Sequence, residues 1–185
     1  MDQGLIIRPA TADDAGALAA IYGDAVLHGL GTFEEIPPDA EEMARRLAAV
    51  RDKSMPYVVA ELDGLVAGYA YASPFRPRTG YRYTAETSIY VAPSAKGRGL
   101  GSTLLRPVIA ECERLGLRQL MAVVGGSENL ASIALHRAFG FEVQGVMTNV
   151  GFKFGRWIDI VMMQRSLNGG AATLPDGSGL PLGGG

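Results

Sequence analysis

The sequence predicts a mixed α/β fold, a sheet flanked by helices. Strand-like apolar runs alternate with stretches whose apolar residues have helical spacing along most of the 185 residues. The Asp63-Gly64 pair between two apolar runs is typical of a hairpin turn. Between Glu86 and Leu115 a strand-like run, a glycine-rich turn and a helix-like pattern follow one another. With 48% hydrophobic residues, the chain is expected to form one compact domain.

The first part of the chain is predicted to contain one strand and two helices. Thr11-Ala12-Asp13-Asp14 is typical of a helix start, and the glycines of segment 29–35 end that helix. Pro37-Pro38-Asp39 opens the second helix. The loop between the helices is expected to be exposed to a ligand. The predicted elements are a strand at 5–8 and helices at 11–28 and 41–50.

The rest of the chain is predicted to alternate strands and helices. Pro93 ends the central strand because proline cannot donate to a sheet ladder. Residues 119–124 form a continuous apolar run, as in a strand that is buried on both faces. Gly140 ends the last helix. The predicted strands are 57–62, 65–73, 83–91, 119–124, 141–146 and 157–165, and the predicted helices are 100–115 and 130–139.

Composition argues against several classes of function. The formal net charge is −2, and no run of lysine or arginine exceeds two residues, so nucleic acid is not expected as a partner. Cys112 lies on the apolar face of a predicted helix, which indicates a buried thiol. With two histidines and one cysteine, a metal site is not expected. No apolar run reaches the length of a membrane helix and no leader is evident, so we expect no membrane association and a cytoplasmic protein.

The composition changes abruptly at Gly169. Residues 169–185 are rich in Gly, Ala and Pro, and such a segment loses much conformational entropy when it becomes ordered. The sequence therefore predicts a domain at 1–168 and a flexible C-terminal tail at 169–185, to which no function is assigned.

The glycine-rich turn Lys96-Gly97-Arg98-Gly99-Leu100-Gly101 is typical of a phosphate-binding loop. Its amide groups and the positive end of the following helix dipole favour an anion. A Walker loop would require lysine after Gly101, and a dinucleotide fingerprint would require different glycine spacing and a later acidic residue. The turn instead resembles the acetyl-CoA pyrophosphate loop of the GCN5-related N-acetyltransferases (GNAT), with Lys96 replacing the usual Gln or Arg.

This resemblance implies the GNAT fold, a mostly antiparallel mixed sheet in which the fourth and fifth strands splay apart and admit the pantetheine arm of acetyl-CoA. Pro107 departs from a regular helix after the loop, where it removes one backbone hydrogen bond. The resemblance implies that the cofactor is bound by the loop residues Lys96, Gly97, Arg98, Gly99, Leu100, Gly101 and Ser102, by the strand residues Ile89, Tyr90 and Val91, and by Asn129 and Ser132.

Longer motifs narrow the resemblance to one subgroup. Residues 83–91, 99–104, 135–136, 140–141 and 151–159 resemble the phosphinothricin and methionine sulfone/sulfoximine acetyltransferases, and the match spans roughly residues 5–167. The segment Gly-x-Lys-Phe-Gly-x-Trp-x-Asp at 151–159 is the most specific part of it. The resemblance implies direct acetylation of the α-amine of a small amino-acid analogue, a detoxification, by an enzyme that forms a homodimer, in which Phe154 and Trp157 close a pocket or face the second subunit.

Glu86 is the predicted general base. An amino-acid amine is mostly protonated near neutral pH, so attack on a thioester requires a carboxylate or imidazole that removes a proton. Glu86 lies at the start of the central strand and coincides with the catalytic glutamate of the family; a solvated strand-end charge is the alternative. The resulting oxyanion is expected to meet the backbone N–H groups of Ile89, Tyr90 and Val91, which also suit ordinary strand packing.

The last helix carries a second catalytic candidate. His136 stands where many relatives have a tyrosine that reprotonates the departing thiolate, and the alternative is a hydrogen-bonded structural histidine. Asn129 either contacts the pantetheine amides, as does Ser132, or caps the helix.

An arginine-rich loop precedes Glu86. Guanidinium groups bind carboxylate, sulfone and phosphinate oxygens well, although each aromatic neighbour could equally serve in packing. Arg78 stands where relatives vary and is not assigned a role. The predicted substrate-binding residues are Phe33, Glu34, Phe75, Arg76, Thr79, Gly80, Tyr81 and Arg82.

Two alternative functions remain at this point. One is acetylation of protein, peptide or other amines; the arginines disfavour polycationic aminoglycosides by repulsion. The other is a non-catalytic acetyl-CoA sensor, which would not require Glu86 and His136.

Overall fold

The structure, a computed structural model, describes residues 4–182. Short 3-10 turns occur at Ala12–Asp14, Thr79–Tyr81 and Pro93–Ala95. The element order agrees with the sequence prediction, with most boundaries within two residues. The elements are β1 (Leu5–Pro9), α1 (Ala15–His28), α2 (Ala40–Arg51), β2 (Tyr57–Leu62), β3 (Leu65–Pro74), β4 (Thr84–Val91), α3 (Leu100–Arg114), β5 (Gln119–Gly125), α4 (Leu130–Ala138), β6 (Glu142–Lys153) and β7 (Arg156–Ser166).

The strands form a seven-stranded mixed sheet in the order β1-β2-β3-β4-β5-β7-β6. β4 and β5 are parallel, whereas the pairs β1-β2, β2-β3, β5-β7 and β6-β7 are antiparallel. The β4-β5 ladder runs only from Thr84↔Gln119 to Thr87↔Ala122, although both strands continue beyond it. The predicted mixed sheet with splayed central strands is therefore confirmed.

The chain folds as two compact units, and unit 1 comprises residues 4–71 and 88–108. Its core is formed by side chains of α1, α2, β2 and β3. The predicted hairpin is confirmed: Asp63 and Gly64 have φ of 51° and 82°, and Leu62 pairs with Leu65. The core residues are Ala10, Leu18, Ile21, Tyr22, Val26, Met43, Leu47, Tyr57, Val59 and Tyr69.

Unit 2 comprises residues 72–87 and 109–182. β5, β7 and β6 form its antiparallel ladders, and Leu120, Phe141, Ile158 and Met163 are buried. Asp159 ties the unit together, since its carboxylate accepts hydrogen bonds from Ser127 Oγ (3.0 Å) and the Asn149 N–H (2.9 Å).

The motif at 151–159 is explained by a tight turn between β6 and β7. Phe154 and Gly155 both have positive φ, 53° and 73°, between the paired residues Lys153 and Arg156. Two consecutive positive φ values suit a two-residue hairpin turn. Glycine takes this conformation freely, whereas Phe154 takes it at a cost.

β6 is longer than the sequence predicts. We expected it to end at Val146, but it extends to Lys153, with register shifts between Val143 and Gly145 and between Met147 and Gly151. The glycines and the positive φ of Asn149 (57°) interrupt the alternation that marks a strand. Pairing to β7 carries the strand through these irregularities.

α3 begins at Leu100, as predicted, and continues through Pro107. Leu104, Val108 and Cys112 are fully buried, which confirms the predicted apolar face and the buried thiol. Burial raises the pKa of Cys112 to about 12, so the thiol is unreactive. Among the helices of residues 4–182, none combines the length and the apolar character that a bilayer crossing requires.

The C-terminal tail makes contacts that its composition does not predict. Within residues 4–182, the Leu180 N–H donates to Arg82 O at 2.8 Å, and Leu180 is buried. Arg118 donates to carbonyl groups of Asn168, Gly170, Thr173 and Leu174. The boundary at residue 168 and the flexibility of the tail stay predictions.

Candidate active site

The glycine loop has the backbone that anion binding requires. Gly97 and Gly99 both have φ of +78°, and a Cβ at either would contact nothing within 4 Å. Their glycine identity is therefore set by backbone conformation rather than by packing. Leu100 begins α3 with its side chain buried, while Lys96 and Arg98 are exposed. The loop thus presents main chain at a helix N-terminus.

Not every amide of the loop is available to a ligand. The Ser102 N–H and the Thr103 N–H donate to Gly99 O, at 3.1 and 3.3 Å. The amides before Ser102 are those that a helix start leaves without an intrahelical acceptor. The Ser102 N–H is therefore already paired within the protein, and the cofactor contact expected of Ser102 stays a prediction.

In unit 1 the loop between α1 and α2 is held by a polar network. Tyr22 OH lies 2.7 Å from Thr32 Oγ1 and donates to Glu34 Oε1 at 2.8 Å. Arg46 of α2 binds both Glu34 oxygens, at 2.8 and 3.1 Å. The Glu34 carboxylate is thus engaged within the protein, while Phe33 is 39% exposed. The Glu34 side chain is also 39% exposed, so the two predicted substrate residues differ in that the Glu34 carboxylate is already paired with Arg46 and Tyr22.

Tyr90 of β4 contacts the same loop. Its hydroxyl donates to Gly31 O at 3.2 Å, and its ring meets the Tyr22 ring edge-on, with centroids 4.9 Å apart. Burial raises the pKa of Tyr90 well above its usual value, so its hydroxyl stays protonated as a donor.

A cluster of tyrosines lies beside Tyr90 and was not predicted from the sequence. Tyr57, Tyr69 and Tyr71 stack with ring centroids 4.8 to 6.4 Å apart. The Tyr57 and Tyr69 hydroxyls are buried and have no hydrogen-bond partner among residues 4–182. The alternation of Tyr69 with Tyr71 in β3 was the available signal, since both point to one face of the sheet.

In unit 2, Glu86 is half-buried between Ala85 and Thr87, both of which are buried. Burial raises the pKa of Glu86, and the charge of Arg76 lowers it by a smaller amount. A carboxylate whose pKa is raised is a stronger base once ionised.

The arginine-rich loop forms a structured turn. Phe75 and Tyr81 pack edge to face with centroids 5.8 Å apart, and the Arg76 guanidinium lies 4.8 Å from the Phe75 centroid. Arg82 donates to Thr79 O at 3.1 Å. Arg76, Arg82, Thr79, Gly80 and Tyr81 are all exposed.

Asn129 and His136 lie at opposite ends of α4. Asn129 caps the helix, since its side-chain oxygen accepts the Ser132 N–H at 3.3 Å. His136 is 5% exposed, and its Nδ1 lies 2.8 Å from Ser132 O, so Nδ1 carries the proton. Burial lowers the pKa of His136 and the Ser132 carbonyl raises it by a smaller amount, while its Nε2 is buried with no partner in the described chain. This geometry favours a neutral structural imidazole over a proton donor.

The structure thus groups the predicted residues within each unit. In unit 1, the glycine loop opens α3, and Glu34 and Tyr90 form hydrogen bonds that hold the loop between α1 and α2, which also carries Phe33. In unit 2, Glu86 and Arg76 interact electrostatically, and Asn129, Ser132 and His136 share α4. Within residues 4–182, no three His, Cys, Asp or Glu side chains are grouped so as to hold a metal ion.

Comparison with known families agrees with this arrangement. The model of a family described as an acetyltransferase (GNAT) domain matches residues 7–162. The chain is 54% identical over 170 residues to a phosphinothricin N-acetyltransferase of Alcaligenes faecalis, covering 92% of this chain and 86% of that protein. It is 39% identical over 168 residues to an L-methionine sulfoximine/L-methionine sulfone acetyltransferase of Salmonella typhimurium, covering 91% and 98%.

Comparison with solved structures agrees with these matches to acetyltransferases. The fold superposes on a GNAT superfamily phosphinothricin acetyltransferase of Sinorhizobium meliloti, solved in complex with AcCoA, with a TM-score of 0.91 and 47% identity. The alignment covers 97% of each chain.

Proposed function

The chain belongs to the GNAT family of acetyltransferases and is an acetyl-CoA-dependent N-acetyltransferase, and we propose that it acetylates the α-amine of phosphinothricin, methionine sulfone or methionine sulfoximine. The single observation that carries the proposal is the half-buried carboxylate of Glu86, with its raised pKa, beside an exposed arginine-rich turn. The names of two relatives, which act on such analogues, support the substrate class.

The proposed chemistry is direct transfer. Glu86 removes one proton from the α-ammonium group of the acceptor, and the free amine attacks the thioester carbon. The oxyanion that forms is stabilised by backbone N–H groups of Ile89, Tyr90 or Val91. Collapse breaks the C–S bond, and the second amine proton passes to the departing CoA thiolate.

This sequence of steps requires no acid from the protein. We therefore propose a structural role for His136, which supports α4 through its bond to Ser132 O and its edge-on contact with Phe141, 5.1 Å between centroids. Its lowered pKa leaves little imidazolium at neutral pH.

For the cofactor, we propose that the amides of residues 97–101 bind the pyrophosphate, helped by Lys96, Arg98 and the Ser102 hydroxyl. Positive φ at Gly97 and Gly99 supports this role, because it lets the main chain approach the phosphates closely. Asn129 and Ser132 are proposed contacts of the pantetheine arm, in addition to their capping bond.

For the acceptor, we propose that Arg76 and Arg82 bind the carboxylate and the sulfone, sulfoximine or phosphinate oxygens. Both guanidinium groups are exposed on a turn that Phe75 and Tyr81 stabilise. Planar guanidinium groups suit such paired oxygens. Phe33, Thr79 and Gly80 are the proposed further contacts.

We further propose a homodimer in the cytoplasm. The β6-β7 hairpin exposes Phe152 (54%) and Trp157 (62%) on its two strands and Phe154 (55%) in the turn between them, which is typical of an interaction surface. A second copy of the chain would bury these side chains. The cytoplasm fits an enzyme that consumes acetyl-CoA and keeps its one cysteine as a buried thiol.

A thiol-release assay with an acceptor panel tests the proposal. The panel contains the three amino-acid analogues, an aminoglycoside and a peptide with a free N-terminus. The proposal predicts release of CoA with the amino-acid analogues at the highest kcat/KM. Turnover of the peptide or aminoglycoside alone would indicate a different acceptor class, and CoA binding without any turnover would indicate a sensor.

A further inference from the structure

We propose that the C-terminal segment 169–182 is a strap that positions the arginine-rich loop 75–82 for acceptor binding. The strap has an anchor at residues 169–174 and a clasp at residues 177–180. This inference rests on the proposed function, because it assigns a role to a loop that is proposed to bind the acceptor.

The anchor residues bind a buried arginine, Arg118. Arg118 is only 8% exposed, and its guanidinium donates to Gly170 O at 3.1 Å and to carbonyl groups of Asn168, Thr173 and Leu174. A buried cation is stable only when its N–H groups are satisfied. The strap supplies most of these acceptors, so Arg118 fixes its beginning on unit 2.

The clasp contacts the end of the arginine-rich loop. The Leu180 N–H donates to Arg82 O at 2.8 Å, the buried Leu180 side chain holds that register, and Tyr83 OH donates to Gly177 O. Gly179 packs directly on Arg82, since a Cβ there would lie 2.8 Å from both Arg82 Cγ and Arg82 O. The strap therefore constrains both the backbone and the side-chain stem of Arg82.

The Arg82 guanidinium itself contacts two residues in or next to its own loop. It lies 5.1 Å from the Tyr83 ring centroid and donates to Thr79 O at 3.1 Å, which leaves the rest of its N–H groups exposed. A binding arginine loses affinity when its stem can rotate, because ordering the stem then costs entropy. Fixing Arg82 before the acceptor arrives is what the clasp achieves.

Two variants separate the clasp from the anchor. The first is Gly179→Ala, in which the new Cβ collides with Arg82 and the φ of +72° becomes strained. The second is the chain shortened after Asp176, which keeps the acceptors of Arg118 but removes the clasp. The matched control is Gly64→Ala in the β2-β3 turn, where the φ of +82° gives similar backbone strain but a Cβ contacts nothing within 4 Å.

Steady-state kinetics with methionine sulfone and acetyl-CoA give the test. Both variants should raise the KM for the acceptor about tenfold or more, because a small misplacement of a binding group has a large effect. The KM for acetyl-CoA, and both KM values of Gly64→Ala, should stay as in the full chain. An unchanged acceptor KM in the shortened chain, or an equal rise in both KM values, would overturn the strap.

If the full chain turns over none of the amino-acid analogues, the proposed function is refuted. Amide hydrogen exchange then tests the strap independently of activity. Exchange in residues 78–83 should be faster in the shortened chain than in the full chain. Equal exchange rates would show that the strap does not order the loop.

Discussion

The surroundings of Glu86 alter both the pKa of its carboxyl group and the effect of that group on stability. Partial burial of its side chain on β4 desolvates the carboxylate and raises its pKa, while the charge of Arg76 limits that rise. An acid with a raised folded-state pKa contributes stability below its unfolded pKa and loses it as the pH rises through the folded pKa. The ionised base that catalysis requires therefore destabilises the fold at neutral pH.

Glu86→Gln is expected to separate stability from activity. At pH 7 the variant should unfold at a higher temperature than the wild type, because the amide removes a buried charge. Near pH 4, where the wild-type carboxyl is protonated, the difference should shrink. Thermal unfolding by circular dichroism at both pH values measures this, and a lower midpoint at pH 7 would refute the account of Glu86.

His136 is expected to make stability depend on pH in the opposite direction. Its pKa lies below the ordinary 6.5, so its contribution to stability is present above that pH and is lost as the pH falls through the folded pKa. The unfolding free energy of the wild type should therefore decrease from pH 7 to pH 5 more steeply than that of His136→Gln.

Denaturant titrations across that pH range provide the measurement for His136. The control is the same titration of His28→Gln, which removes the other histidine at an exposed position. If His136→Gln keeps the wild-type slope and instead abolishes turnover, the histidine is catalytic.

The sequence identified which residues carry the expected chemistry, but not the residues that contact them. Glu86 and the arginines followed from the chemistry of amine acetylation and the family resemblance. The engagement of Glu34 with Arg46 and Tyr22 did not, because those residues are twelve positions away on two helices. Long-range pairs of this kind leave no local pattern.

At the element scale, the glycine loop is the feature that a single substitution tests best. Gly99→Ala places a Cβ at φ +78° without a collision, so the strain is confined to the backbone. The variant should lose about 1–2 kcal/mol of stability and bind CoA more weakly, because the main chain moves away from the pyrophosphate.

Gly116→Ala is the matched control for the loop. Gly116 follows α3 with φ +73° and equally open surroundings, so it should lose similar stability while CoA affinity stays unchanged. Calorimetric titration with CoA compares the two. Equal affinity in both variants would exclude the loop as the pyrophosphate site.

Elements with a regular pattern were predicted well, and the irregular ones were not. α1, α2 and the β2-β3 hairpin follow from capping residues, apolar spacing and Asp63-Gly64. The second half of β6 was missed because Gly145, Asn149 and Gly151 resemble loop residues. Its strand conformation depends on pairing with β7, which local sequence does not encode.

At the scale of the whole molecule, the exposed β6-β7 hairpin predicts self-association. Trp157→Ser should shift the protein from dimer to monomer at micromolar concentration, because it removes a large apolar side chain from the proposed contact. The control is Leu174→Ser, which removes an 87% exposed apolar side chain elsewhere. Sedimentation velocity distinguishes the states, and a monomeric wild type would contradict the proposal.

The tail makes contacts that its composition does not indicate. Its glycines predict flexibility, but Gly170 and Gly179 occupy positive φ at points where a Cβ would collide with Ser166 or Arg82. Glycine therefore serves close packing there as well as chain freedom. The hydrogen bond from Arg118 to Gly170 O joins residues some fifty positions apart, so the composition of the tail does not indicate it.

The central claim is that Glu86 deprotonates an amino-acid analogue for transfer from acetyl-CoA, and the pH dependence of turnover by Glu86→Gln tests it most directly. With methionine sulfone as acceptor, the variant should lose about 100-fold or more in kcat/KM at pH 7. It should recover much of that loss at pH 9.5, where the free amine is abundant. Wild-type turnover by the variant at pH 7 would contradict the claim.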